Sequence, residues 1–425
     1  MPCRRTAVKL TEQPGFVRFW VASTVSDFGT YITTIAISVI AVLELDASST
    51  EVGLVRAVRW LPYPFFGLLA GVWVDRHSHK PLLIATDIGR ALLLAAMATL
   101  SFAGWLTIPW LLSLLFAFGL LSLAGDAAFQ AVTTVLVPRE LLVRANARIE
   151  QSDSVAQTTG PALAGWLIQI LTAPAALLID AASYVISAVV VATIPLRTSD
   201  TPRLETGTVG GQVREGLAWV YRHPRLGPLA LTTHLWFIFF SMFGTVFTVF
   251  ALRERELGAD GLGIVLALSG VGAVVGSLLT TRVGEALGTG RTIIYSRCLY
   301  PVAFAIIACA GFATVGSLPS VAIFGAGQAL IGLALGLEGA QEMGYQQAVT
   351  PVRLIGRMAA TVRSLNRGVV VVGAPLGGIL AGAIGNRPTL LVCAGGMIVV
   401  VLLMALSDLR NARMEDQLSD DVASQ

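Results

Sequence analysis

Residues 138–165 read PRELLVRANARIEQSDSVAQTTGPALAG, and residues 351–378 read PVRLIGRMAATVRSLNRGVVVVGAPLGG. Laid over each other, the two stretches share Pro138/Pro351, Leu141/Leu354, Arg144/Arg357, Gly160/Gly373, Leu163/Leu376 and Gly165/Gly378 at one constant offset. That offset is half of the 425-residue chain, so the sequence reads as two copies of one unit joined head to tail. Each copy is largely apolar. A duplicated apolar unit predicts two halves embedded in a membrane that rock about a shared central site.

Composition supports this reading. Hydrophobic residues make up 55% and charged residues 13% of the chain, with a mean hydropathy of +0.75. Soluble domains carry about 25% charged residues. A net charge of +3, with no basic stretch interleaved with aromatics, points away from a nucleic-acid partner. Cys3, Cys298, Cys309 and Cys393 are scattered without a CxxC pair, which leaves no disulfide framework or zinc motif. His77, His79, His223 and His234 form no ligand set either, so no metal and no cofactor is expected. There is no P-loop for nucleotide hydrolysis and no nucleophile elbow, so no enzyme activity is expected. No cleavable leader is expected ahead of the first apolar run.

Apolar runs long enough to cross a bilayer, about 20 residues each, fall at 16–43, 52–74, 81–103, 108–136, 149–171, 175–196, 226–252, 261–281, 292–314, 318–347, 362–384 and 388–407. This predicts an all-α membrane protein of twelve spans in two six-helix bundles, 1–196 and 226–407. A polar linker, 197–225, and a disordered tail, 408–425, complete the chain. Lys and Arg concentrate in alternate loops (Arg4, Arg5, Lys9; Arg76, Lys80; Arg139, Arg144, Arg148; Arg197, Arg203, Arg214, Arg222, Arg225; Arg282, Arg291; Arg353, Arg357; Arg410, Arg413). The opposite loops hold only Arg253, Arg255 and Arg387. By the positive-inside rule both termini are cytoplasmic, in the cell (inner) membrane.

The loop after the second span reads Gly71-Val-Trp-Val-Asp75-Arg76-His-Ser-His-Lys80. It resembles the G-x-L-x-D-R-x-G-R-K signature of the major facilitator superfamily, with Ser78 and His79 in place of the usual Gly and Arg. Gly160-Pro161-Ala-Leu-Ala-Gly165 resembles that superfamily's antiporter motif, with Ala164 at a usual Gly, and Gly373-Ala-Pro375-Leu-Gly377-Gly378 is its counterpart. The passage from Val137 to Ala147, with Pro62 and Arg90, is similar to the branch of macrolide-efflux and enterobactin-exporter proteins. The resemblance covers nearly the whole chain. It implies the major facilitator fold, with spans one, four, seven and ten around a central cavity, span two beside eleven, and span five beside eight. The Arg-bearing fourth-span motif of many drug/proton antiporters is absent, because residues 119–127 hold Asp126 but no Arg.

A charge at a helix centre costs roughly 2.5–3.5 kcal/mol on insertion scales and calls for a partner, a water cavity or a function. Asp27, Asp126 and Glu338 lie near span centres, with Glu342 one turn beyond Glu338. On the implied fold they surround one chamber, where carboxylates trade protons for cargo: low-dielectric walls favour the neutral form, a bound cation the charged one. The alternative is that each is a buried acid paired with a neighbouring Arg. Trp236, Phe240, Phe243 and Phe247 form a helical stripe that lines the chamber or faces lipid. Asp75 with Arg76 ends span two where Arg363 and Arg367 begin span eleven. Arg282 ends span eight where Glu150 and Asp153 begin span five. These charges predict two cytoplasmic latches, with snorkelling to headgroups as the alternative. Gly160, Pro161, Gly165, Gly373, Pro375 and Gly378 predict mid-span kinks and close helix approach. The function expected is secondary active export of an amphipathic small molecule by proton antiport in a monomer. An importer of a small organic solute and a non-transporting membrane sensor are the alternatives.

Overall fold

The computed structural model describes residues 10, 13, 15–75, 77–138, 141–195, 209–312, 315, 318–351 and 354–413. Regular structure among them is entirely helical. The first half contains α1 (Phe16–Val39), α2 (Ser49–Val58), α3 (Pro62–Asp75), α4 (His79–Phe102), α5 (Ile108–Leu136), α6 (Leu142–Leu171) and α7 (Ala173–Thr193). The second follows with α8 (Val209–Arg222), α9 (Leu226–Val249), α10 (Gly258–Leu287), α11 (Thr289–Arg297), α12 (Leu299–Cys309), α13 (Leu318–Ala348), α14 (Ile355–Ile384) and α15 (Asn386–Leu406). Ten of the described helical stretches are long and apolar enough to cross a membrane, and Thr159–Leu171 is a shorter apolar helix.

The expected second span is divided. Its chain turns at residues 59–61, where the Trp60 amide donates to the Ala57 carbonyl at 3.0 Å, and helix resumes at Pro62. Proline cannot donate a backbone hydrogen bond, and it disfavours helical geometry in the residue before it. The break places Arg59 and Trp60 at mid-depth. The N-terminus of α2 is closed by a capping box between Ser48 and Glu51.

The duplication extends into backbone detail. Helix α1 ends in a π turn (Ile40–Glu44) followed by Asp46 at φ 50°, and α9 ends in one (Phe250–Glu254) followed by Glu256 at φ 51°. Thr172, between α6 and α7, has φ 104°, where the second copy has Gly385 at φ 92°. Within each half α1 packs on α6 and α7, and α9 packs on α14 and α15. Across the halves α6 meets α10, and α14 meets α2, as the resemblance implies.

Two segments outside the expected spans carry structure of their own. The polar linker 197–225 contains α8, whose Val220 is fully buried and which packs on α9 and α14. Its Trp219 indole donates to Thr350 Oγ1 at 3.3 Å. Tyr221 is hydrogen bonded to His234 Nε2 at 2.6 Å, and His234 Nδ1 lies 2.6 Å from Asn366 Oδ1. Burial raises the pKa of the Tyr221 phenol, which keeps it protonated. An amphipathic turn every 3.6 residues, hidden among glycines and charges, explains why the helix is not evident as an apolar run. The tail is not all free: a short turn, Asp408–Asn411, seats Leu409 and Ala412 against α11, and the Gly290 amide donates to the Ala412 carbonyl at 3.0 Å.

Candidate functional site

Charge collects at mid-depth between the halves. Asp27 lies on α1, half-buried, and among the described residues no hydrogen bond or ion pair reaches its carboxylate. The charges that act on it are Asp153, Asp126, Glu150 and Arg90. One turn further along α1, the Tyr31 hydroxyl donates to Asp153 Oδ1 at 3.1 Å, holding one of those acids in place. A Cβ on Gly160 would lie 2.7 Å from Tyr31 Cβ, so the glycine of the Gly-Pro motif is what admits Tyr31 here.

Asp126, on α5, accepts from the Tyr63 hydroxyl at 2.9 Å and from Arg367 Nη1 at 3.3 Å. Arg367 crosses from α14, and its guanidinium carbon sits 4.3 Å from the Tyr63 ring centroid and 5.1 Å from that of Trp60. Arg59 lies 5.4 Å from Trp60 and 5.1 Å from Phe118 while donating to Thr34 Oγ1. Nearer the end at which α1 begins, Arg363 Nη2 stands 3.6 Å from Glu150 Oε1. Among the described residues, then, Arg363 reaches Glu150 and Arg367 reaches Asp126, and both arginines lie well inside α14 rather than at its end. Arg282 is exposed. The side chain of Asp75, and Arg76 altogether, lie outside the described residues.

The acids of the second half are engaged differently. Arg297, 1% exposed, donates to Glu338 Oε2 at 2.9 Å, to Glu342 Oε2 at 2.8 Å and to Thr233 Oγ1 at 2.8 Å. Tyr300 donates to Glu338 Oε1 at 2.7 Å. Glu338 is thus an acid in a satisfied network inside one half, the second of the two readings open from sequence. The aromatic stripe lies beside it: Trp236 stacks on Phe240 with centroids 4.5 Å apart, and Phe243 stacks on Phe304 at 3.9 Å. Trp236 and Phe243 are buried in the interior of this half, facing α12 rather than lipid. The Trp236 indole N–H has no acceptor among the described residues.

The repeated motif works in two directions. Gly160 and Gly373 face their own halves, at Tyr31 and at Ile238 and Ser241, whereas Gly165 and Gly378 meet the backbone of the other half, at Gly263 and Ser49. Both α6 and α14 run on through Pro161 and Pro375. The Gly165 and Gly378 contacts lie towards the end opposite the start of α1, where Arg253 also pairs with Asp46 at 2.8 Å and Ser49 Oγ donates to Asn386 Oδ1 at 3.4 Å across the halves. That end is closed.

Sequence reasoning missed Arg297, Arg59, Arg56 and Asp87. All four are charges inside apolar runs, the signal that singled out Asp27. Asp87 pairs with Arg90 and accepts from Ser187 at 2.8 Å, and Arg90 covers the Tyr184 ring at 4.4 Å.

Paired helical halves, glycine-tight seams between them and a charged interior at mid-depth define a membrane transporter of the major facilitator type. The chain belongs to the transmembrane secretion effector family, whose sequence profile it matches over residues 8–425. It is 27% identical to the MFS-type transporter YfiS of Bacillus subtilis over 93% of both chains. It is 23% identical to macrolide efflux protein A of Streptococcus pyogenes, over 88% of this chain and 89% of that protein. A solved bacterial homologue of the iron transporter ferroportin, in an inward-facing state, has the same fold (TM-score 0.69, 16% identity, 95% of this chain and all of that one). So does the nucleoside transporter NupG (TM-score 0.68, 14% identity, 92% and 99%).

Proposed function

We propose that the protein is a proton-coupled exporter of an amphipathic small molecule, working by alternating access of two six-helix halves in a twelve-span arrangement. Both termini face the cytoplasm, and the closed end faces outward. The observation that carries the coupling is Asp27, a mid-helix carboxylate that no hydrogen bond or ion pair reaches among the described residues, in the field of Asp153, Asp126, Glu150 and Arg90. An acid left unpaired at this depth is expensive unless water or a titrating role keeps it there. The others in the group are tied to Tyr63, Tyr31 and Arg363, so Asp27 is the acid free to exchange a proton. One proton moving down about 100 mV supplies about 2.3 kcal/mol. The relation to macrolide efflux protein A favours export over uptake.

Everted vesicles test the reading. Vesicles containing the protein should accumulate at least one member of a panel of labelled amphipathic antibiotics, and collapsing the pH gradient with nigericin should release it. Asp27→Asn should abolish the gradient-driven accumulation. Undiminished drive in that variant would remove Asp27 from the coupling.

A further inference from the structure

Arg367 sits in a site built for a cation. Two aromatic faces, Trp60 and Tyr63, lie 5.1 and 4.3 Å from its guanidinium carbon, and Asp126 Oδ2 lies 3.3 Å from Nη1. All three members of this cage belong to the first half: Trp60 at the turn between α2 and α3, Tyr63 in the first turn of α3, and Asp126 on α5. The cation alone arrives from the second half, on α14. Tyr63 is buried, and its hydroxyl fixes the Asp126 carboxylate at 2.9 Å, so the cage is held in shape by its own residues. The Arg367 and Asp126 side chains keep 27% and 46% exposure, so the cage is accessible from outside the protein interior. Aromatic faces with a carboxylate favour an organic cation over a neutral or anionic solute. A partly exposed ion pair is weak and gives way to a competitor of the same charge.

We propose that Trp60, Tyr63 and Asp126 bind the ammonium or guanidinium group of an amphipathic organic cation, and that Arg367 fills this site in the empty transporter and is displaced by the cargo. The inference deepens the transport reading by naming its substrate class. It also links binding to movement. Arg367 ties α14 to α3 and α5 at mid-depth, and a cargo that ejects it removes that tie between the halves. Arg59, the other cation near Trp60, comes from the same half and is held by Thr34, so its place does not change which half supplies the plug.

The full chain, purified in detergent without a pH gradient, is titrated with rhodamine 6G, an amphipathic organic cation, and with neutral N-phenyl-1-naphthylamine. Arg367→Gln removes the tethered competitor and should tighten rhodamine 6G binding about tenfold, leaving the neutral probe unchanged. Added to Arg367→Gln, Asp126→Asn or Trp60→Ala should weaken rhodamine 6G binding about tenfold. Trp60→Phe, which keeps a ring face, should weaken it less, separating loss of the cage from loss of the fold. Unchanged or weaker rhodamine 6G binding in Arg367→Gln would overturn the proposal, leaving Arg367 as a fixed tie. Equal tightening for the neutral probe would overturn the cation selectivity. Because no gradient is present, failure of proton coupling in vesicles leaves this result standing, and the reverse also holds.

Discussion

Arg297 is buried more deeply than either of the two acids it pairs with, Glu338 and Glu342. Its side chain serves Glu338, Glu342 and Thr233 at once inside the second half. Truncating one partner of a buried ion pair leaves the other uncompensated, which costs about 3–5 kcal/mol. Arg297→Ala should therefore destabilise the protein by about that much, read as a fall in detergent thermal-unfolding temperature. Glu338→Gln should cost less, because Glu342 still neutralises Arg297 and a glutamine still accepts from Tyr300. Equal losses would mean that the network does not act as a unit. Thr172 offers the opposite sign. Its φ of 104° is unfavourable for a β-branched residue, and the second copy uses Gly385 at that point. Thr172→Gly should stabilise by about 1 kcal/mol; a fall in unfolding temperature would contradict this. At this scale the sequence discloses which residues are charged within apolar runs, and so finds Asp27 and Asp126. It does not disclose partners. Arg367 and Asp126 are 241 residues apart, and their meeting depends on how the halves are placed together.

Helices were legible wherever an apolar run had the length of a span, because that signal is local. Their interruptions were less so. The turn at 59–61 follows from Pro62, yet its consequence, a tryptophan and an arginine delivered to mid-depth, depends on tertiary placement. Helix α8 escaped because its apolar face is narrow and its flanks are polar. The glycines of the repeated motif were readable as sites of close approach, and the structure adds what they approach. A Cβ at Gly165 would collide with the Gly263 backbone. Backbone cannot swing aside as a side chain can, so Gly165→Ala should push α6 from α10 and disfavour the closed end by about 1–3 kcal/mol. The check is a thiol introduced as Ser49→Cys, with exposed Cys309 replaced by Ala. A membrane-impermeant maleimide added on the side opposite the termini should label it faster in Gly165→Ala. An unchanged rate would show that the seam tolerates the methyl group.

For the molecule as a whole, alternation requires that the closed end be weak enough to open. The polar contacts there fit that demand. Arg253 and Asp46 are 35% and 93% exposed, and pairs of that kind contribute about 1 kcal/mol or less. Ser49 Oγ donates to Asn386 Oδ1 across the halves at 3.4 Å, and Arg253 reaches the Val42 carbonyl at 3.1 Å. Together they bias the balance by a few kcal/mol, enough to set a resting state and small enough for a bound cargo to reverse. A covalent tie removes that reversibility. With Asp46→Cys and Arg253→Cys joined by a short bifunctional thiol reagent cleavable by reductant, gradient-driven accumulation in vesicles should stop and return on reduction. Rhodamine 6G binding to the tied protein in detergent should persist, since Trp60, Tyr63 and Asp126 make no contact with Asp46 or Arg253. Full transport in completely crosslinked protein would show that the halves never part at this end, and the alternating cycle would have to be abandoned with it.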